Sequence, residues 1–543
     1  MNRLDTFVKT KVNRVMNAKL YILIFLCIAV FSFNLAANEV IKFTWTGGNK
    51  TIYIETLNNT QFTINWGDDS VDTILGNGGW QNHIYNDTDD YFVTITCDST
   101  DCLFTKFYCG SNNVSSLDLN MSKNLTSLYC SYNQLTSLDL STNTNLISLD
   151  CDNNQLISLN LSTNTALLYL SCNNNLLNCL DLSTNTVLEG LNCSNNQLNR
   201  LSLNGNNSLN YLNCYDNKLN RLSLNENSTL TELNCSNNQL NNIELGENIA
   251  LMFLYCNDNM LKNLDLTGNT ALRNLDCSNN QLTVLGLKAN TALEYLTCHR
   301  NKLTILDINA NTTLYNISCS DNQLTFLDVS TNELFCSNNH ICVLIISSAL
   351  KKLYCDNNCL QLSNLYAASL IVTITNRYFG TQTLPTQAVK IGEKVDFSSQ
   401  AKFNSIATVF EIQKDNLPAI LGSDYNIKDG VITFKHDGRY IVTMTNSTIV
   451  SPSFPAIVIA TFEVGTVGIN EIVQTPIFKI YPNPATNIVY IKTENEIVPE
   501  VKLYSIEGKL LQHIRSTEID ISPYSAGVYF IQIDNKTKKL IKL

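Results

Sequence analysis

Between residues 104 and 365 the apolar positions return in a fixed rhythm. One unit reads Leu272-x-x-Leu275-x-Cys277-x-x-Asn280-x-Leu282 and continues Leu282-x-x-Leu285-x-Leu287-x-x-Asn290-x-x-Leu293. The alternations Leu-x-Cys and Leu-x-Leu turn two side chains inward and one outward, which is the period of a strand and too brief for a helical face. Each unit therefore holds two similar arcs, and the pattern predicts a flattened coil with one parallel strand per arc. Cys109, Cys130, Cys151, Cys172, Cys193, Cys214, Cys235, Cys256, Cys277, Cys298 and Cys319 stand at a constant interval of 21 residues, so the coils stack in register. Near the end, Cys336 and Cys355 follow at intervals of 17 and 19 as the array winds down. About thirteen coils at roughly 4.8 Å each give a rod near 60 Å long, with two ends that need covering.

Three residues after each ladder cysteine stands an asparagine, among them Asn133, Asn154, Asn196, Asn238 and Asn280; a second series runs from Asn143 to Asn332. A carboxamide both donates and accepts, so stacked asparagines can satisfy the backbone groups that coiling would bury unpaired. The cysteines occupy an inward position shared with leucine, where a thiol serves as a small apolar filler. Strand spacing and parallel Cβ vectors oppose bridges along the row, and a one-dimensional row cannot converge four ligands on a metal. Free thiols are expected at Cys130, Cys151, Cys193, Cys235 and Cys277 and their repeats. Off the ladder, Cys97 with Cys102, and Cys342 with Cys359, leave a local bridge or free thiols open. With these residues in view, the array resembles the leucine-rich-repeat family in its bacterial, internalin-like branch. That resemblance implies a mainly β fold, a leucine-rich-repeat solenoid of 21-residue coils, here flanked by small β-sandwich domains.

The flanks alternate differently. Phe62-Thr63-Ile64-Asn65-Trp66-Gly67-Asp68-Asp69-Ser70, then His83-Ile84-Tyr85 and Tyr91-Phe92-Val93-Thr94-Ile95, predict short strands joined by tight turns. They resemble a PKD-like β-sandwich, with Asp69 where glycine is usual, so 38–103 is expected to be that domain and the N-terminal cap. Asp68 and Asp69 are read as turn-bonding aspartates. Residues 366–465, with Gly430-Val431-Ile432-Thr433-Phe434 and Gly438-Arg439-Tyr440-Ile441-Val442, look like an Ig-like sandwich, followed by a linker at 466–476. An outward row of the second arc turns apolar at Val284, Ile305 and Phe326, and the sandwich is expected to fold back onto it. Residues 477–543 carry Tyr481-Pro482-Asn483-Pro484, Val501-Lys502-Leu503-Tyr504 with a Glu507-Gly508 turn, and Gly527-Val528-Tyr529-Phe530-Ile531, which predict a small sandwich. They resemble the C-terminal sorting domain of type IX secretion. The resemblance implies export across a Gram-negative outer membrane, with the passenger anchored at the surface or released.

Composition narrows the partners. A net charge of -11 has the wrong sign for phosphate backbones, so nucleic acid is not an expected partner. Arg3, Lys9, Lys11, Arg14 and Lys19 precede the apolar run Leu20 to Phe33 and then Asn34-Leu35-Ala36-Ala37, the order of a signal peptide at 1–37. No transmembrane span is expected in the mature chain. The five histidines, at 83, 299, 340, 436 and 513, are scattered, and no G-x-S-x-G or H-E-x-x-H motif occurs. No catalytic residue, metal or cofactor is expected. Asp118, Asp139, Asp181, Glu244, Asp265, Asp307 and Asp328 share an outward row of the second arc, read as a solvated acidic stripe.

The candidate binding face is the outward side of the first arc. It presents Tyr169, Tyr211, Tyr215, Phe253, Tyr255, Tyr295 and His299 among asparagines. Aromatic rings beside amides suit a protein loop or a glycan. The expected function is surface binding or adhesion toward a protein or glycan ligand, with the type IX secretion machinery as a further partner. A passive surface scaffold and a glycan-active enzyme are the alternatives.

Overall fold

The computed structural model describes residues 38–465 except 59, 77, 247 and 453, and, in the last segment, residues 479–481, 487–492, 500–505, 510–525, 527–533 and 536–542. The expected signal segment and linker lie outside the described residues, as do Pro482, Asn483, Pro484 and the Glu507-Gly508 turn.

The fold is a mainly β leucine-rich-repeat solenoid. Each full coil contributes one three-residue strand to a single sheet, as in Ser148–Asp150, Tyr169–Ser171, Gly190–Asn192 and Tyr211–Asn213. Neighbours pair in parallel with leucine on leucine, Leu149 on Leu170 and Leu170 on Leu191. The central leucine of each strand is buried because alternation points it inward, and the ladder cysteine that follows is fully buried beside it. The second arc departs from the expected strand per arc. Regular pairing there is confined to Leu222–Ser223 with Ile243–Glu244 and Phe326–Val329 with Val343–Ile346. The buried second asparagine series serves the carbonyls of this arc: Leu140 O accepts from Asn143 N–H and from the Asn164 side chain, both at 3.1 Å. Its buried run ends at Asn311, because the shortened coil buries Thr331, whose hydroxyl donates to Tyr315 O at 2.8 Å, and leaves Asn332 half-exposed.

Both sheets of the N-terminal sandwich run on into the first coil. Val40–Thr46, Phe62–Asn65, Val71–Ile74 and Asp90–Cys97 form one sheet, completed by Val114–Asp118 from the coil. Asn49–Leu57 and Gly78–Ile84 form the other, joined through Leu103–Tyr108, which is antiparallel to Asn49–Leu57 and parallel to Ser127–Tyr129. Phe43, Trp45, Phe62, Trp66, Phe104 and Phe107 are buried in a cluster continuous with the leucine core. The exposed strand edge and the apolar end of the stack are therefore both covered at this end. Cys97 and Cys102 are bridged within the cap, and Cys342 and Cys359 across the last coils.

At the other end Glu333–Phe335, Lys352–Tyr354 and Arg377–Tyr378 extend the sheet, and the helix Leu362–Ile371 closes the core with Leu362, Leu365 and Ala368. The following sandwich attaches there end-on. Buried Arg377 donates to Ser369 O, Val372 O and Val450 O at 2.6, 2.9 and 2.8 Å. It does not fold back over the second arc: Val284 and Phe326 remain 36% and 42% exposed. Those guanidinium bonds hold the sandwich at the end of the stack, while Phe326 pairs instead with Val343 of the next coil. Residues 479–542 contain two further small sheets around a core of their own, including Val489, Val501, Leu503, Ile519 and Ile531.

Candidate binding face

The face is built on the first asparagine ladder. Asn196 donates to Cys172 O, Cys193 O and Ser194 O at 3.0 to 3.2 Å, while its Oδ1 accepts from Leu177 N–H at 3.0 Å. The same bonds recur at Asn154, Asn238 and Asn280. Asn133 begins the coil-to-coil series, accepting from Asn112 N–H and Val114 N–H. Both ends of the ladder are taken over by flanking segments. Asn112 bonds Thr51 in the cap, and fully buried Gln382 does for Cys355 O and Leu360 N–H what an asparagine would do in a further coil. This fixed backbone holds the outward side chains in straight rows.

The expected aromatic residues fall in three such rows. Tyr169, Tyr211, Phe253 and Tyr295 precede the buried leucine, Tyr255 follows it, and Tyr215 and His299 follow the ladder cysteine. Tyr295 is 44% exposed, with its ring 6.0 Å from Tyr315. The other six are half-buried. Tyr169 lies over Gly190 and its hydroxyl donates to Glu189 at 2.9 Å; burial, then that hydrogen bond and charge, push the phenol up to about 12. Burial also raises Tyr255, helped by Glu232 and Asp276. Both hydroxyls stay protonated at neutral pH; that of Tyr169 donates, while that of Tyr255 accepts from the Asn274 amide at 3.5 Å.

Four aromatic residues outside the expected set share the same face at the N-terminal end. Trp80, Tyr53, Tyr108 and Tyr129 stand opposite one another on adjacent strands, with ring centroids 5.3, 5.0 and 6.0 Å apart. The 21-residue interval could have flagged Tyr108 and Tyr129 as one row; Tyr53 and Trp80 join through antiparallel pairings that the repeat does not encode.

The acidic row of the second arc builds turns. Asp139 accepts from Ser141 N–H, Asp181 from Ser183 N–H and Asp265 from Thr267 N–H, and these backbone bonds lead the lowering of each carboxyl below its ordinary value. Glu244 pairs with Arg221 at 2.8 Å. In the cap, Asp68 accepts from the Ser70 backbone and hydroxyl and from His83; burial opposes ionisation, yet these bonds hold its carboxyl at about 2. Among the described residues no three of His, Cys, Asp and Glu are grouped to hold a metal ion. No helix among them is long and apolar enough to cross a membrane.

The ladder thiols are free and buried, and burial pushes Cys109, Cys214 and Cys319 up to about 12. Thiolate, the reactive form, is scarce there and shielded. In residues 38–543, a thiol reagent is expected to label one site quickly, exposed Cys179, and fourteen after denaturation. Fast native labelling of several sites would contradict the packing described.

Residues 479–543 match a family described as the secretion system C-terminal sorting domain. No curated protein matches the chain. Among solved structures, the functional domain of InlJ from Listeria monocytogenes, described as including a cysteine ladder, is 25% identical. That match covers 68% of this chain and 93% of the other, with a TM-score of 0.45. YopM, a leucine-rich effector protein from Yersinia pestis, is 26% identical over 47% of this chain and 78% of its own, with a TM-score of 0.38. InlP from Listeria monocytogenes is 15% identical over 60% and 90%, with a TM-score of 0.35.

Proposed function

We propose that the protein is a binding or adhesion protein of the outer surface of a Gram-negative bacterium. Residues 1–37 direct it to the periplasm and residues 477–543 pass it to the type IX secretion machinery, with the solenoid as passenger. The first-arc face then binds a protein or glycan. The observation that carries the reading is the junction, in one chain, of a secretion sorting domain with a solenoid whose rigid sheet displays aromatic rings among amides. A chain truncated before Phe478 is expected to accumulate in the periplasm, while the full chain reaches the cell surface, as read by protease accessibility on intact cells. Surface display of the truncated chain would remove the basis for this route. On glycan and surface-protein arrays, the mature chain with Tyr211, Tyr255 and Tyr295 all changed to Ala is expected to lose ligand binding while remaining folded. Undiminished binding would favour the second reading, a passive surface scaffold. That reading has an observation of its own: Tyr169 and Tyr255 are half-buried and bonded within the face.

A further inference from the structure

The row Trp80, Tyr53, Tyr108 and Tyr129 crosses four adjacent strands at right angles, each residue directly opposite the next. Trp80 is 63% exposed and Tyr129 39%. Large rings left in water on a sheet built from satisfied backbone cost free energy unless something covers them. Their arrangement is held from below. Tyr129 lies flat across Gly110, where any Cβ would collide with the ring, so one π face is turned outward. Tyr53 and Tyr108 stack on each other at 21°, Trp80 and Tyr129 lie at 66° and 65° to them at the two ends of the row, and Tyr53 donates to Glu55 at 2.9 Å.

The flanks of the row are polar and electrically balanced. On one side Thr51 donates to Asn82 at 2.7 Å; on the other Lys106 and Glu55 form an ion pair at 2.9 Å. Asp150 stands opposite Tyr129 at the end of the row, in a chain of net charge -11. The stair is thus one ring wide and three strand spacings long, about 14 Å. A row of this width follows an extended chain better than it fits the broad patch, about 800 Å² on each side, that a protein partner covers. An anionic polymer would meet Asp150 and the overall negative field without a free cation in the row to pair with. A neutral polysaccharide fits both shape and charge. One pyranose face is a flat array of C–H bonds that lies on the electron-rich face of an aromatic ring. Its hydroxyl edges would meet the flanking amide, hydroxyl and carboxylate groups, and the two outer rings, Trp80 and Tyr129, stand far enough apart for a run of several sugar units to span them.

We propose that Trp80 and Tyr129, with the stacked pair Tyr53 and Tyr108 propped between them, form a stacking stair for an uncharged polysaccharide chain. The proposal deepens the surface-binding reading and rests on it. The test uses the mature chain, residues 38–543, with insoluble cellulose and chitin, soluble mannan and xyloglucan, and heparin as an anionic probe. Binding is read by pull-down or by retardation in polysaccharide-containing native gels. At least one neutral polysaccharide should bind and heparin should not. Trp80→Ala with Tyr129→Ala should weaken that binding by about 10-fold or more, while Trp80→Phe with Tyr129→Phe restores most of it and Phe454→Ala, at an exposed ring of the following sandwich, leaves it unchanged. Circular dichroism of each variant should match the parent, since the changed side chains are exposed. Failure of all four neutral probes, binding to heparin alone, or equal binding by the double alanine variant would overturn the stair. If array binding to a protein is then lost in the Tyr211, Tyr255 and Tyr295 variant, the stair fails while the surface-binding reading stands.

Discussion

Asn196→Ala is expected to lower the unfolding free energy by about 3 kcal/mol. The size follows from what is left behind. The three carbonyls that Asn196 serves keep other donors: Cys172 O has Asn175, Cys193 O has Asn217, and Ser194 O has Asn174 N–H. Leu177 N–H, buried, has Asn196 Oδ1 as its partner and is left unpaired. An orphaned buried donor costs about 1–3 kcal/mol, and the lost charge-neutral bonds and small cavity add about 1 more. Asn206, equally buried in the second series, gives a graded comparison. It donates to Leu182 O and Asn185 O at 3.1 and 2.9 Å, but its Oδ1 has no partner. Both carbonyls also accept from backbone N–H groups, so Asn206→Ala strands no donor and is expected to cost about 1–2 kcal/mol. Asn160→Ala, an exposed turn residue, is expected to cost less than about 1 kcal/mol. Urea denaturation of the three variants checks the order. Equal losses at Asn196 and Asn206 would mean that the acceptor role of the first ladder contributes nothing.

The same contrast explains what the sequence makes legible. A side chain whose surroundings repeat every 21 residues is selected the same way in every coil, so the cysteine and asparagine rows stand out and the strands follow from Leu-x-Cys. Positions where the repeat meets something else do not stand out. Gln382 finishes the asparagine ladder from 24 residues beyond Asn358, with a different side chain and from another sheet. Tyr53 and Trp80 join the aromatic row through antiparallel register that depends on the turns of the cap. The second arc reads like the first in its leucines, yet regular pairing there is confined to two short stretches, a difference that the leucine spacing does not carry. The apolar Val284, Ile305 and Phe326 suggested a covering domain, but the buried Arg377 contacts place the sandwich on the end of the stack.

Deleting residues 38–97 is expected to abolish the soluble monomer. The deletion removes Asn49–Leu57 from the edge of Leu103–Tyr108 and Val40–Thr46 from Val114–Asp118, so both sheets of the first coil end in unpaired strands. It also uncovers Phe104 and Phe107, now fully buried. An open edge beside an apolar surface is a template for pairing with another chain, and a stack of identical coils can extend in that direction without closing. Size-exclusion chromatography with light scattering should then show large oligomers in place of a monomer. Phe107→Ala separates edge protection from core packing. Its ring lies 5.6 Å from Phe43, at the joint between cap and leucine core, and truncating it is expected to cost about 3–5 kcal/mol. The strands still pair in that variant, so it should remain monomeric while unfolding at lower urea. Because neighbouring coils depend on one another, hydrogen exchange should quicken first near Leu128 and Cys130 and fade toward the middle of the array. A monomeric deletion chain with unchanged thermal stability would show that the coils hold their own end, and that the sandwich serves some purpose other than closing it.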